Sequence, residues 1–173
     1  MGGYAELCAM EAILSPALST MPAEARVWIY KSATPFTPAQ LTVLMEEGKE
    51  FTGSWTSHGA AVVAAFEVIG SHFVVLAADL RDVVICGGAI DGSVQFIKKL
   101  EARLGLALTD RMVVLYREDG AVKSCRATEV EALLKSGELT ADTEVFDDLV
   151  ATKADLDARF RTPLRNTWLA RYL

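Results

Sequence analysis

The residues best suited to acid–base chemistry are a histidine and an aspartate in two glycine-containing segments. His58 belongs to the segment Trp55 to Gly59, and Asp91 belongs to the segment Gly87 to Ser93. An imidazole titrates near neutral pH, and a neighbouring carboxylate can fix its tautomer. His58 and Asp91 are therefore the candidate catalytic pair, in which Asp91 would orient the imidazole for proton transfer.

Three further residues in the same segments are candidates for ligand binding. Ser93 is predicted in the first turn of a helix, where backbone N–H groups can receive an anion. Trp55 and Gly59 flank the histidine and would line the same site. A structural interpretation stays open, in which His58 ends one helix, Asp91 caps the next, and the glycines form a turn.

Two other parts of the chain could carry chemistry. Trp168 and Arg171, near the C-terminus, could stack as a cation on a ring or contact a ligand; a core tryptophan beside a surface arginine is the alternative. Cys86 precedes two glycines, and a reactive thiol requires a cationic or helix-terminal setting. The preceding apolar run over residues 83–85 favours a buried structural cysteine instead.

The sequence contains none of the common motifs for nucleotides, metals or activated serines. No G-x-x-x-x-G-K-[ST], G-x-G-x-x-G, H-E-x-x-H, G-x-S-x-G or EF-hand loop occurs. Two histidines exclude a multi-histidine metal site, and the three cysteines, Cys8, Cys86 and Cys125, are too far apart for a zinc motif. We therefore expect no cofactor, no metal and reduced thiols, as in cytoplasmic proteins.

The charge balance argues against two classes of partner. The 173 residues include 17 Lys and Arg against 23 Asp and Glu, which gives a formal net charge of −6. A surface of this sign repels phosphate backbones, so we expect neither nucleic acid nor a membrane as a partner. The most apolar stretch, residues 62–80, is interrupted by charged side chains, and the first twenty residues lack the basic start of a secretory signal. We therefore expect a cytoplasmic protein.

The order of the predicted elements indicates an α+β fold. From β-branched residues and alternating apolar positions, strands are predicted over residues 26–30, 62–68, 73–78 and 112–116. One helix is predicted to begin at the capping box Thr37 to Gln40 and to end at Gly59, and another to begin at Asp91 and to end at Gly105. The resulting order, β-α-β-β-α-β, is that of the ferredoxin-like fold, with two helices on one face of a four-stranded antiparallel sheet.

The same patterns divide the chain into three parts. Residues 1–24 are predicted to be an N-terminal extension, helical or disordered, with Met21 as a candidate original start. Residues 25–120 would form the ferredoxin-like core, whose last strand ends at a turn predicted over Glu118 to Gly120. Residues 121–173 would form a C-terminal α/β appendage packed on that core, with a second capping box at Thr128 to Glu131, a further helix that begins at Thr152 to Asp155, and a docked tail of large apolar residues.

A resemblance to a known family covers about residues 26–173. The segments that carry it are Arg26 to Tyr30, Phe36-Thr37, Trp55-x-x-His58-Gly59, Ile90-Asp91-x-Ser93-Val94, Phe96 to Lys98 and Trp168-x-x-Arg171. Together they resemble a family of small bacterial proteins of uncharacterised function that often carry the label "ABC transporter ATPase". An ATPase of that type needs a phosphate-cradling loop, its lysine and a Walker-B carboxylate, and this sequence has none of them. Where the family loop is similar to Gly-Cys-Ser-Ile-Asp, this chain has Gly88 and Ala89 in place of cysteine and serine, which argues against a covalent mechanism.

These observations favour a non-catalytic ligand-binding or protein-interaction module whose partner is a small molecule or a protein. The apolar tail also suggests docking, and we expect self-association into a homo-oligomer. One alternative is a small acid–base enzyme that uses His58 and Asp91 on a small anionic substrate. A second alternative is an adaptor, because residues 133–139 and 143–146 are loosely similar to adaptor domains of the GYF type.

Overall fold

The computed structural model describes residues 16–173, so the greater part of the expected N-terminal extension lies outside the described residues. The last part of that segment belongs to the fold. Residues Pro16–Ser19 form a short helix, and Leu18 is fully buried in a core cluster that also contains Val27 and contacts Met21. The chain before Met21 therefore contributes to the hydrophobic core.

The described chain contains both helices and antiparallel strands, which confirms the α+β class. The helices are α1 (Pro16–Ser19), α2 (Pro38–Ser54), α3 (Gly87–Leu104), α4 (Val130–Ser136) and α5 (Lys153–Arg159). The strands are β1 (Arg26–Lys31), β2 (Thr56–Ser57), β3 (Ala60–Ala61), β4 (Val63–Ile69), β5 (Phe73–Asp79), β6 (Val113–Glu118), β7 (Ala121–Arg126), β8 (Glu144–Phe146) and β9 (Arg161–Pro163). Short 3-10 segments cover Ala127–Glu129, Leu164–Asn166 and Trp168–Tyr172.

The strands form two larger sheets and one small hairpin, all with antiparallel pairing. The first sheet has the order β1-β5-β4, and the second has the order β7-β6-β8-β9. Strands β2 and β3 pair only with each other. The prediction of a single four-stranded sheet is therefore wrong, because β6 lies in the second sheet and leaves β1 at the edge of the first.

Local chain geometry explains where β6 pairs. Asp119 and Gly120 both have positive φ angles, of 50° and 80°, as the central residues of a type I′ turn do, and this turn joins β6 directly to β7. A neighbouring strand reached through a two-residue turn forms at a small entropic cost, which makes β7 one neighbour of β6. Strand β8 occupies the other edge of β6, so neither edge is left for β1. The boundary predicted at residue 120 accordingly falls inside the β6–β7 hairpin.

Three hydrophobic clusters place the sheets and helices in four layers. One cluster joins the first sheet to α2 and α3, with Leu44, Leu76 and Ile97 among its buried members. A second cluster lies between the two sheets and contains Phe73 and Phe146. The third cluster covers the other face of the second sheet with α4 and the C-terminal segment, whose Leu169 is buried. The tail is therefore docked, as predicted.

Helix α2 shows how closely the first two layers approach. Its capping box forms as predicted, since Thr37 accepts a hydrogen bond from the Gln40 backbone N–H and the Gln40 side chain accepts one from the Thr37 N–H. A methyl group added at Gly48 would lie 1.9 Å from the Phe66 ring. The glycine is required because the helix backbone rests directly on that ring.

Two further predicted helix starts have different outcomes. Thr152 caps α5 and accepts a hydrogen bond from the Asp155 backbone N–H. The capping box predicted at Thr128 is wrong, because Thr128 lies within the 3-10 segment Ala127–Glu129 and α4 begins only at Val130.

Candidate functional site

The segment that contains His58 forms a hairpin and not a helix end. Helix α2 ends at Ser54, and His58 and Gly59 are the two central residues of the turn between β2 and β3. Their φ angles are 51° and 79°, again as in a type I′ turn, which twists in the sense that flanking strands require. The prediction that Gly59 ends the helix is therefore wrong, and His58 lies exposed at a hairpin tip.

The start of α3 also differs from the prediction. Cys86 is the N-cap, and its sulfur accepts a hydrogen bond from the Ala89 backbone N–H at 3.4 Å. Asp91 is thus an exposed residue inside the helix and not its cap. Ser93 lies beyond the first turn, is almost fully buried, and donates its hydroxyl to the Ile90 carbonyl at 2.6 Å. The expectation that Ser93 borders the free N–H groups of the helix is wrong for this reason.

We refer to residues 55–61 together with residues 84–93 as the hairpin region. Within the described chain, no hydrogen bond or ion pair joins His58 to Asp91. Trp55 is buried at the end of α2 and donates its indole N–H to the Ala89 carbonyl at 3.0 Å. Trp55 therefore connects the two helices and has a structural role in this arrangement.

Cys86 lies at a helix N-terminus, a setting that favours the thiolate form. The thiol is half-buried and caps the 18-residue helix α3. Hydrogen bonds from the Ser57 hydroxyl and from the Ala89 N–H lower the pKa of Cys86. The Ser57 hydroxyl has one hydrogen, which also faces the Val84 carbonyl at 2.8 Å, so the helix N–H is the firmer of the two contributions. The prediction of a buried structural cysteine is wrong in its burial, because Cys86 is only half-buried.

A concave surface that the sequence did not predict lies along β1, the edge strand of the first sheet. This surface, the β1 cleft, has a volume of about 780 Å³. It is bounded by all of β1, by Ile90, Val94 and Lys98 of α3, by residues 108–112, by residues 148–151 and by Trp168. Clefts of this size are ordinary ligand-binding sites in proteins.

The charges around the β1 cleft are predominantly positive. Four cationic side chains and two acidic ones line it, for a sum of +2, although the whole chain carries −6. The cationic residues are Arg26, Lys31, Lys98 and Arg111, and the acidic ones are Asp110 and Asp148. Such a local reversal of sign favours an anionic ligand.

The two acidic groups are already neutralised by ion pairs. Lys31 is buried and pairs with Asp148 at 2.5 Å. Asp110 pairs with Arg126, and the hydrogen bond from that guanidinium is the main reason why the pKa of Asp110 is lowered. In the part of the chain that the structure describes, the other three lining cations make no ion pair, and they are Arg26, Lys98 and Arg111.

Aromatic and apolar side chains supply the rest of the lining. Trp28 and Tyr30 project from β1, and the guanidinium of Arg26 lies 4.7 Å from the Trp28 ring centre. Burial raises the pKa of Tyr30, so its hydroxyl remains a neutral donor. Met112 and Leu149 also line the cleft, with exposed fractions of 40% and 63%. Exposed apolar side chains grouped in this way are typical of binding surfaces.

Of the predicted site residues, one lines the β1 cleft. Trp168 lies at the rim of the cleft, and Arg171 stacks over the Trp168 ring at 5.2 Å and over Tyr172 at 4.8 Å. Arg171 is therefore held beside Trp168, as the sequence suggested, without lining the cleft itself. Trp55, His58, Gly59, Asp91 and Ser93 all belong to the hairpin region.

Sequence reasoning missed the functional candidates on β1. The alternation of a strand puts Trp28 and Tyr30 on one face, and this signal was available. The convergence of Lys98 and Arg111 on the same cleft was not, because both are surface residues of distant elements.

A shallower groove of about 490 Å³ lies between α4 and the C-terminus and is lined by Leu134, Tyr172 and Leu173 among others.

Among residues 16–173, no group of three or more His, Cys, Asp or Glu side chains is placed to hold a metal ion. Over the same residues, no helix has both the length and the apolar composition that crossing a membrane requires.

Comparison with protein-family models, with curated proteins and with solved structures finds no match for this chain. The geometry of the β1 cleft is therefore the basis for assigning a function to the protein.

Proposed function

We propose that this protein is a non-catalytic binding module that holds a small organic anion with an aromatic or apolar part in the β1 cleft. The observation that carries the proposal is the convergence of three cations without acidic partners and three aromatic rings on one concave surface. The cations are Arg26, Lys98 and Arg111, and the rings are Trp28, Tyr30 and Trp168. Unpaired cations attract an anion, and the rings bury the apolar part of the same molecule.

The proposal favours binding over acid–base catalysis. An enzyme that uses His58 needs a group to orient the imidazole, and Asp91 makes no hydrogen bond or ion pair with it within the described residues. The groups of the β1 cleft are cations, neutral hydroxyls and rings, which suit recognition of a charged ligand. Its two carboxylates are engaged by Lys31 and Arg126 and are poor general bases.

The test is a titration followed by two-dimensional NMR. Phenyl phosphate combines a ring with a charge, whereas inorganic phosphate lacks the ring and benzyl alcohol lacks the charge. We expect phenyl phosphate to shift the indole N–H signals of Trp28 and Trp168, and to bind more tightly than either of the other two probes. Phenyl phosphate that moves no signal of the β1 cleft at millimolar concentration would contradict the proposal.

A matched pair of variants makes the titration specific. Lys98→Glu and Lys99→Glu change the same net charge on neighbouring exposed positions of α3, but only Lys98 lines the cleft. We expect Lys98→Glu to weaken phenyl phosphate binding by about tenfold, because a nearby charge is reversed. Lys99→Glu should change it by less than about twofold, because Lys99 does not line the cleft and solvent screens its charge. Equal weakening by both variants would mean that the effect is one of net charge alone.

A second candidate function is that of an adaptor that binds a protein segment through its C-terminal part. The groove between α4 and the C-terminus supports it, because Leu134, Tyr172 and the exposed Leu173 provide an apolar floor. A pool of proline-rich and hydrophobic decapeptides should then shift NMR signals of these residues. Shifts spread over the whole surface, or none, would reject the adaptor function.

A further inference from the structure

The open edge of β1 supplies a recognition element that charge and aromatic rings do not provide. Strand β1 pairs with the strand β5 on one side, and on its outer side it has, within the described chain, a single isolated bridge, between Arg26 and Thr152. On the other side, the Val27 N–H donates to the Ala151 carbonyl at 2.9 Å, and the Lys31 N–H donates to the Leu108 carbonyl at 3.2 Å. Because backbone groups alternate in direction along a strand, Ile29 presents its N–H and C=O to the same outer side.

The outward backbone groups of Ile29 have no hydrogen-bond partner among residues 16–173. Backbone groups of a folded protein are almost always paired with protein, water or ligand. The β1 cleft touches every residue from Arg26 to Lys31, so this free N–H and C=O border the proposed binding site.

The length of the open edge determines what can pair with it. The chain itself closes the edge at Val27 and again at Lys31, and four residues of a strand span about 13 Å. An added peptide strand would have to continue past at least one of these closures, where Ala151 and Leu108 already occupy the pairing positions. A planar molecule of one or two rings is shorter than this span, so it need not pass either closure.

The donor and acceptor of Ile29 define the chemistry of that molecule. An N–H and a C=O on one residue pair with a ligand that presents an acceptor and a donor side by side, as the lactam edge of a pyrimidine or purine ring does. The neighbouring rings of Trp28 and Trp168 provide apolar contacts for such a ring. The cations Lys98 and Arg111 are available for an acidic substituent.

From these observations we infer that the β1 cleft recognises a planar heteroaromatic lactam with an acidic substituent, through hydrogen bonds between its lactam edge and the Ile29 backbone. This inference rests on the proposed function, since it names the ligand class of the same cleft. It adds a geometric requirement, because an aromatic anion without a lactam edge would leave the Ile29 groups unpaired and would bind less tightly.

A set of four probes tests the lactam edge. Orotate carries a lactam edge and a carboxylate on one ring, and 1,3-dimethylorotate keeps the ring and the charge but has both ring N–H groups blocked. Benzoate provides a ring and a charge alone, and uracil provides the lactam without the charge. We expect orotate to bind at least about tenfold more tightly than each of the other three, as expected for a lost pair of hydrogen bonds or a lost ion pair.

The Ile29 amide itself gives a second readout that needs no mutation. Orotate should shift the Ile29 N–H signal and slow its exchange with deuterium. The amide of Trp28 is the internal control, because it points toward β5 and should exchange slowly with or without orotate.

The outcomes separate the inference from the proposed function. If orotate, dimethylorotate and benzoate bind the cleft equally and the Ile29 amide does not respond, the lactam inference is wrong and the anion-binding function stands. If phenyl phosphate and all four probes leave the cleft signals unchanged, both are wrong. If orotate slows the deuterium exchange of the Ile29 amide and none of the other three probes does, both the lactam inference and the anion-binding function are supported.

Discussion

The hairpin region and the β1 cleft both use the first half of α3, yet their polar groups are arranged in opposite ways. In the hairpin region the polar groups bind one another: the Trp55 indole donates to Ala89, and Ser57 bridges Val84 and Cys86. In the β1 cleft, cations such as Lys98 and the backbone groups of Ile29 have no protein partner within the described residues. Paired polar groups hold the fold, and unpaired ones are available to a ligand.

The two regions touch through one aromatic contact. Trp28 of the cleft and Trp55 of the hairpin region meet edge to face, with ring centres 5.9 Å apart. If the comparison is correct, changes in the hairpin region lower stability, whereas changes in the cleft alter binding with a smaller loss of stability.

The largest expected effect separates two tryptophans. Trp55→Ala should lower the free energy of unfolding by about 3–5 kcal/mol, because it empties a buried site and leaves the Ala89 carbonyl unpaired. Trp168→Ala, at the half-exposed rim of the β1 cleft, should lower it by only about 1–2 kcal/mol. Urea denaturation measures both. Equal losses would contradict the division between a structural region and a binding region.

A smaller effect with opposite signs is expected at two glycines. Gly59→Ala should destabilise the protein by about 1–2 kcal/mol, because the φ angle of 79° at the hairpin tip is unfavourable for a side chain. Gly53→Ala should stabilise it by about 0.5–1 kcal/mol, because Gly53 lies inside α2 and an added methyl group would meet nothing within 4 Å. Thermal unfolding of both variants gives the signs. Stabilisation by Gly59→Ala would show that the turn is not formed.

The smallest expected effect on the fold concerns the reactivity of two thiols, Cys86 and Cys125. The thiolate fraction sets the rate of alkylation, so a lowered pKa moves the reaction to lower pH and a raised pKa moves it to higher pH. Hydrogen bonds lower the pKa of Cys86, whereas burial, with a smaller contribution from Glu129, raises the pKa of Cys125 to about 11. At neutral pH, iodoacetamide should therefore modify Cys86 well before Cys125.

Two double variants leave one thiol each, so that Cys86 and Cys125 can be measured separately. Cys8 lies outside the described residues and is replaced by serine in both variants, one with Cys125→Ser and the other with Cys86→Ser. Alkylation rates over a range of pH then report each thiol separately. Faster modification of Cys125 than of Cys86 at neutral pH would contradict the helix-capping geometry.

Short-range patterns predicted much of the local structure. The capping box at Thr37, the cap at Thr152 and the left-handed end of α3 at Gly105 all form, because each depends on residues within a few positions of one another. The turn at Asp119-Gly120 was predicted for the same reason, since Asp-Gly is a favoured type I′ pair. His58-Gly59 forms the same turn, but histidine is a less common first residue there, and the hairpin was taken for a helix end.

The helix start at Cys86 shows a different limit. Asp91 is a stronger capping residue by preference than cysteine, so the sequence pointed to Asp91. In the fold, the hydrogen bond from the Cys86 N–H to the Ser57 hydroxyl and the one from the Trp55 indole to the Ala89 carbonyl fix the cap five residues earlier. Tertiary contacts therefore overrode the local preference, and this moved Ser93 from the predicted anion site into the core.

By itself, the sequence determined the α+β class, most strands, several caps and the acidic net charge, because these depend on composition and on neighbours along the chain. Only the tertiary structure decided that β6 joins a second sheet and that β1 keeps an open edge. The β1 cleft follows from that decision, since it brings Trp28, Lys98, Arg111 and Trp168 together from distant parts of the chain. Contacts of this kind depend on which strands pair over long loops, and the entropy and packing that select the pairing have no local signature in the sequence.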